Sequence, residues 1–125
     1  MQIREISERN IWEQFVEEQK EKTFMQSWAW GDFHKGMGHK IWRFGVYEDE
    51  VLRGVCLIAK VEAKRGTFLE IEHGPIAEKK QEEILKTVLE KLKVTAKQEK
   101  ASFIRISPVW ERNKQNNALF RNLGF

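Results

Sequence analysis

Histidine and cysteine, which often act in catalysis or bind metals, are few in this chain, and their spacing matches no common catalytic motif. His34, His39 and His73 lie at spacings that do not place two imidazoles on one helical face, so we expect no metal site. Cys56 lies in the apolar run Val-Cys-Leu-Ile, which predicts a buried, unreactive thiol. The sequence has no Walker loop, no Gly-x-Ser-x-Gly elbow and no Gly-x-Gly-x-x-Gly. No catalytic residue is therefore predicted.

A few aromatic and basic residues have the chemistry to bind a substrate. Trp28 and Trp30 offer flat faces on which a sugar or peptide can stack, although aromatics at helical spacing also pack in cores. Arg105 alternates with Ile104 and Ile106 along a predicted strand, so its guanidinium points to the face opposite theirs. It therefore either meets a ligand or pairs with a glutamate.

The charge of the chain is a weak guide to its partners. A formal charge of +3 arises from 22 basic and 19 acidic residues, mixed along the sequence. The one lysine-rich stretch contains Lys79, Lys80, Lys86, Lys91, Lys93, Lys97 and Lys100. Five glutamates are interleaved with them, which favours a solvated helix face over a nucleic-acid site.

Composition predicts one globular domain in a reducing compartment. The chain has 125 residues, of which 41% are hydrophobic and 33% charged. A single cysteine allows no internal disulfide, and the sequence shows neither a secretory leader nor a long apolar span. We therefore expect a cytoplasmic protein without an integral membrane segment.

Hydrophobic periodicity predicts a strand and two helices in the first third of the chain. The strand covers residues 1–6, and the first helix carries an apolar stripe of Ile11, Trp12, Phe15 and Val16. Asn10 and Glu13 are candidates for its capping box. The second helix has Ser27 as its predicted N-cap, with one face formed by Trp30, Phe33 and Met37.

The rest of the chain alternates strands and helices. Strand-like runs cover residues 41–47, 51–61 and 67–72, and their short connections predict an antiparallel meander. An amphipathic helix is predicted over residues 78–100, followed by a strand at residues 103–106 in parallel pairing. A last helix is predicted from Asn113 to the cap at Gly124.

These elements give an α/β (α+β) mixed sheet in the order β-α-α-β-β-β-α-β-α. The glycine cap and Phe125 lead toward a further strand, so we expect residues 1–125 to be a single domain that lacks its final strand. An unpaired sheet edge favours association, and we expect a homodimer or another partner to cover it.

This order resembles the GNAT acyltransferase fold, which implies an acyl-CoA held by backbone amides between the fourth strand and the next helix. In this chain that loop is His-Gly-Pro-Ile-Ala at residues 73–77, where Pro75 removes a donor. The family's Arg/Gln-x-x-Gly-x-Gly/Ala loop has no counterpart. An acyl-CoA-dependent acyltransferase is therefore an alternative rather than the leading interpretation.

Five short segments together resemble the N-terminal GNAT-like domain of the Fem (FemABX) family of peptidoglycan-bridge aminoacyltransferases. The segments are Gln-Ser-Trp-Ala-Trp-Gly at 26–31, Gly-Val-Tyr-Glu at 45–48, His-Gly-Pro-Ile at 73–76, Ile-Arg-Ile-Ser-Pro at 104–108 and Phe-Arg-Asn-Leu-Gly-Phe at 120–125. They occur in the family's order and cover almost the whole chain. The resemblance implies the first half of a two-domain enzyme.

The resemblance also implies a reaction and its partners. Fem enzymes transfer an amino acid from aminoacyl-tRNA to the stem-peptide amine of a peptidoglycan precursor, which is UDP-linked or lipid-linked. The precursor lies in a cleft between the two domains, the second domain holds most of the tRNA, and no other cofactor is implied. The fragment alone would hold part of the precursor at most, so whether it is itself an enzyme is left open.

The resemblance suggests five substrate-binding residues in this chain: Trp30, Lys35, Gly74, Arg105 and Ser107. A basic residue near Lys35 contacts the precursor's phosphates in the family. Ser107 stands where members often carry an aspartate, and a hydroxyl cannot act as a base at neutral pH. His73, which precedes Gly74, is expected to be partly buried and neutral. A non-catalytic RNA- or protein-binding fragment is the remaining alternative.

Overall fold

A computed structural model describes residues 1–20, 22–64 and 66–107. Its elements are β1 (Gln2–Glu5), α1 (Arg9–Glu17), a 3₁₀ turn (Phe24–Gln26), α2 (Trp28–Gly36), β2 (Lys40–Glu48), β3 (Val51–Ala63), β4 (Gly66–Glu72), β5 (Ile76–Ala77), α3 (Gln81–Gln98) and β6 (Phe103–Ser107). The helix predicted from Asn113 to Gly124 lies outside the described residues.

The sheet is mixed, in the spatial order β1-β2-β3-β4-β6. Strands β1 to β4 pair antiparallel, and β6 pairs parallel with β4. The predicted meander and the predicted parallel strand are therefore confirmed. Sequence periodicity missed β5, a two-residue strand that returns to β3 at Gly54 and Val55.

Helix α3 covers one face of the sheet. Its buried side chains include Ile84, Leu85, Val88, Leu89 and Leu92, as the amphipathic pattern predicts. They pack on β-strand residues that include Phe44, Cys56, Ile58, Leu69 and Ile71. The thiol of Cys56 is completely buried, and this burial raises its pKa above the ordinary value, so the prediction of an unreactive core cysteine is confirmed.

Helices α1 and α2 lie on the opposite face. Trp12 and Phe15 of α1 are buried, but Ile11 is 41% exposed, so the apolar stripe is narrower than predicted. The predicted capping box is wrong: Glu8 is the N-cap residue and its side chain makes no capping bond. Glu13 instead accepts a 2.9 Å hydrogen bond from Arg9 Nε one turn earlier.

A buried glutamine fills a break in the sheet. Both β4 and β5 pair with β3, but the intervening residues 73–75 leave its ladder. Gln26 is completely buried at this break, where its Oε1 accepts from Leu57 N–H at 2.8 Å and its Nε2 donates to the Glu72 carbonyl at 2.8 Å. Its own carbonyl accepts a 2.7 Å hydrogen bond from Trp12 Nε1. The primary amide thus replaces a peptide group of a neighbouring strand.

The backbone of Gly74 packs directly against this amide. A Cβ at residue 74 would lie 2.6 Å from Gln26 Cδ and 2.7 Å from its Nε2. The position therefore excludes any side chain, because Gln26 cannot move without losing its own hydrogen bonds. Residues 26 and 74, far apart in sequence, are locked together at the centre of the sheet.

We expect Gln26→Leu to lower the free energy of unfolding by about 3 kcal/mol, because it leaves a buried donor and a buried acceptor unpaired. The leucine has a similar volume, so cavity formation contributes little. Gln14→Leu on the exposed side of α1 is the control, with a change below about 0.5 kcal/mol. Urea denaturation measures both; equal losses in the two variants would contradict the bridging role.

Glu99, at the end of α3, is held by lysines of two strands. It accepts from Lys40 Nζ at 2.8 Å and from Lys60 Nζ at 3.2 Å, and these hydrogen bonds hold its pKa below the ordinary value. A lowered carboxyl pKa stabilises the fold above the unfolded-state pKa, and this contribution is lost as the pH falls through the folded-state pKa. Glu99→Gln should therefore lower the melting temperature at pH 7, and the difference from wild type should shrink as the pH is lowered through the acidic range. A difference that persists unchanged at low pH would contradict this origin.

Candidate functional site

Strands β4 and β6 present a row of partly exposed side chains on the face that carries α2. Because the strands are parallel and in register, facing residues form three rungs: Phe68 with Phe103, Glu70 with Arg105, and Glu72 with Ser107. The phenyl rings stack at 4.8 Å with 9° between their planes. Phe103, Arg105 and Ser107 are exposed. We call these six residues the open face.

Arg105 lies at the centre of the open face and pairs with a glutamate, one of the two outcomes expected from its strand position. Its Nη2 and Nε donate to Glu70 Oε1 at 2.8 and 3.1 Å, and its guanidinium lies 5.2 Å from the centre of the Phe68 ring. The side chain remains 62% exposed. The guanidinium therefore keeps donors available to a ligand.

Helix α2 borders the open face with aromatic rings. Its predicted N-cap is confirmed, since Ser27 Oγ accepts from Trp30 N–H at 3.1 Å. Trp30 stacks on Phe33 at 4.9 Å and meets Phe24 edge-on at 5.4 Å. Phe24 is 63% exposed and Phe33 51%, whereas Trp30 is partly buried against the core. We call these three rings the aromatic wall. Met37 of the predicted apolar face is also half exposed.

A buried histidine connects the aromatic wall to the open face. His34 is 5% exposed, and its Nε2 lies 2.8 Å from Glu72 Oε1. Trp30 Nε1 donates to the same oxygen at 3.2 Å. On its other side, His34 Nδ1 lies 2.9 Å from His39 Nδ1. Helical spacing predicts that these imidazoles lie apart. His39, however, follows the helix, and its backbone N–H donates to the His34 carbonyl at 3.0 Å.

The structure separates Lys35 from the other predicted site residues. Lys35 lines a recess of about 430 Å³, together with residues that include His39, Lys40, Trp42 and Arg43. None of the residues that line it belongs to the open face. Trp30, Arg105 and Ser107 thus lie together around the open face, while Lys35 lies at a second surface. Within the described part of the chain, no group of three or more histidines, cysteines and acidic residues is arranged to hold a metal ion.

Trp28, which lines this recess, and Gly31 both pack against Arg43. The guanidinium of Arg43 lies 3.6 Å from the centre of the Trp28 ring and donates to the Trp28 carbonyl and to Asp32, both at 2.9 Å. Its side chain is only 9% exposed. A Cβ on Gly31 would lie 2.6 Å from Arg43 Nη2, so a side chain there would displace the guanidinium from these contacts.

The loop where a GNAT enzyme holds its acyl-CoA is poorly suited to a pyrophosphate. His73 and Gly74 lead into β5, and α3 begins only at Gln81. The first turn of α3 carries Glu82 and Glu83, which already oppose the positive end of the helix dipole and would repel an anion. His73 is half-buried as predicted, and its Nδ1 lies 3.3 Å from Thr23 Oγ1.

The fold is of the GNAT type, as comparison with solved structures shows. A probable acetyltransferase matches with a TM-score of 0.70 at 14% identity, covering 100% of this chain and 89% of its own. An aminoglycoside 6'-N-acetyltransferase from Acinetobacter haemolyticus matches with a TM-score of 0.68 at 15% identity, covering 100% and 90%. At such identities the similarity shows the fold alone.

The family is shown by its sequence model. The FemAB family model matches residues 7–121, so the chain belongs to the FemAB family. The crystal structure of FemX superposes with a TM-score of 0.86 at 24% identity and covers 99% of this chain and 32% of FemX. The chain therefore spans about a third of the length of FemX. No curated protein sequence matches it. None of the described helices is long and apolar enough to cross a bilayer.

Two arginines that face the same side of the sheet should differ sharply in their contribution to stability. Arg105→Gln should change the free energy of unfolding by less than about 1 kcal/mol, because the Glu70 pair is exposed to water. Arg43→Gln should cost about 2 to 3 kcal/mol, because it removes buried charge-assisted hydrogen bonds and the stacking on Trp28. Urea denaturation of both variants tests this. A loss at Arg105 as large as that at Arg43 would make Arg105 a structural residue.

Proposed function

We propose that this chain is the acceptor-binding part of a Fem-type aminoacyltransferase. The reaction transfers an amino acid from aminoacyl-tRNA to the stem-peptide amine of a UDP-linked or lipid-linked peptidoglycan precursor. Membership of the FemAB family supports the reaction class, and the open face beside the aromatic wall is the observation that carries acceptor binding.

The reaction fits a site without a nucleophilic side chain. An amine attacks an ester that is already activated, so alignment of the two reactants and stabilisation of the developing oxyanion supply most of the acceleration. The open face provides the means of alignment: a guanidinium, a hydroxyl, a carboxylate and stacked rings within three successive rungs. We propose Trp30, Arg105 and Ser107 as contacts of the sugar or peptide. Gly74 contributes to the structure of the site rather than to ligand contact, through its packing on Gln26.

Lys35 is proposed as a phosphate contact at the recess. Its position across α2 from the open face requires an extended ligand, and a pentapeptide alone spans up to about 17 Å. A precursor that lies over the end of α2 would place its phosphates near Lys35 and its peptide near Arg105. We assign the contacts to aminoacyl-tRNA to a second domain, as the resemblance implies. No further cofactor is proposed, and a cytoplasmic location and a homodimer stay predictions.

NMR titration of the chain with UDP-muramyl pentapeptide tests this proposal. Shifts should concentrate at residues 68–72 and 103–107 and on the aromatic wall. Arg105→Ala should weaken binding about tenfold, which corresponds to loss of one charge-assisted hydrogen bond. Arg9→Ala is the matched control, because Arg9 is similarly exposed and pairs with Glu13 on α1; its effect should stay below about twofold.

The same titration distinguishes the alternative functions. Shifts at residues 73–83 with acetyl-CoA, and none with the precursor, would favour an acyl-CoA enzyme and contradict the proposal. Binding of tRNA through the lysines of α3, lost at high salt and without any response to the precursor, would favour the RNA-binding alternative.

A further inference from the structure

The hydrogen bonds around Glu72 fix the orientation of its carboxyl group. An ionised carboxylate only accepts hydrogen bonds, and Glu72 Oε1 has two partners, Trp30 Nε1 and His34 Nε2. With Glu72 ionised and His34 neutral, the proton of His34 lies on Nε2, and its Nδ1 accepts from His39 Nδ1–H. His34 and Trp30 thus both donate to Oε1 of Glu72, and His39 in turn donates to His34. This arrangement holds the carboxylate of Glu72 in one position.

The other oxygen of Glu72 is the candidate contact for a ligand. In the part of the chain that the structure describes, Oε2 makes no hydrogen bond, and the side chain is 24% exposed on the open face. The neighbouring Glu70 is neutralised by Arg105. By contrast, no lysine or arginine among the described residues lies within ion-pair distance of Glu72. Among the described residues, Glu72 is therefore the carboxylate of the open face that has no lysine or arginine partner.

The surroundings of Glu72 suit a primary ammonium group. The carboxylate supplies a charged acceptor, Ser107 on the facing rung supplies a hydroxyl oxygen, and the aromatic wall supplies π faces, all of which attract R–NH₃⁺. A quaternary ammonium has no N–H to donate, so it could not hydrogen-bond to the oriented carboxylate.

We propose that Glu72 is the binding site for the primary ammonium group of the acceptor. This inference rests on the proposed function, since the acceptor of that reaction is an amine. Glu72 is a positioning residue in this account: it holds the nitrogen beside the open face, and His34 and His39 hold Glu72.

The direct test uses Nα-acetyl-lysine methylamide as a probe of the chain. The indole N–H of Trp30 donates to Glu72, so its NMR resonance reports on the site. In wild type this resonance should shift in a saturable manner, and Glu72→Gln should weaken the binding at least about tenfold. Glu62→Gln removes the same charge from an exposed position of β3 and should change the affinity less than about twofold. No shift in wild type, or equal losses in both variants, would overturn the inference.

A change of ligand gives a test that does not depend on the folding of a variant. The Nε-acetylated probe lacks the ammonium and should leave the Trp30 resonance of wild type unmoved. Two muramyl pentapeptides, with lysine or Nε-acetyl-lysine at the third position, then separate the two proposals. Equal binding of both would overturn the ammonium site and leave the proposed function standing. A response to the small amine, without binding of either pentapeptide, would support the ammonium site and count against the proposed function.

Discussion

The primary amide of Gln26 is the interaction on which the site depends. A peptide-like group is needed where residues 73–75 leave the ladder, because Leu57 N–H and the Glu72 carbonyl would otherwise be buried without partners. A glutamine satisfies both at once, since its amide carries a donor and an acceptor in the geometry of a peptide. Ser27, the next residue, is the N-cap of α2. The same contact therefore closes the sheet and places α2 against the end of β4.

The chemistry of the open face follows from that placement. With α2 fixed at its start, Trp30 and His34 fall one turn apart and both reach the carboxylate of Glu72. The parallel pairing of β6 with β4 then aligns Arg105 and Ser107 beside Glu70 and Glu72. Charged and hydroxyl groups therefore gather where parallel strands end, the common location of ligand sites in open α/β sheets.

Features that depend on neighbouring residues could be predicted from the sequence, whereas contacts between residues far apart in the chain could not. The Ser27 cap, the buried face of α3 and the parallel strand at Phe103–Ser107 follow from hydroxyl capping and periodicity, and they were predicted. Gln26 gives no local signal, because its partners are 31 and 46 residues away. The approach of His39 to His34 arises from a chain reversal after α2. Glu72 is the last residue of β4, and its place in that strand gives no sequence signal of a site. The structure brings the predicted residues Trp30, Arg105 and Ser107 to one face, and the hydrogen bonds that connect this face to His34 could not be predicted from the sequence.

The central claim is that the acceptor lies on the open face between α2 and β6. A muramyl pentapeptide that carries a photoreactive diazirine on its third side chain tests this most directly, with cross-linked peptides identified by mass spectrometry. The account predicts labels within residues 30–34, 68–72 and 103–107, and competition by the unmodified precursor. Labels confined to α3, or labels that the unmodified precursor does not reduce, would contradict it.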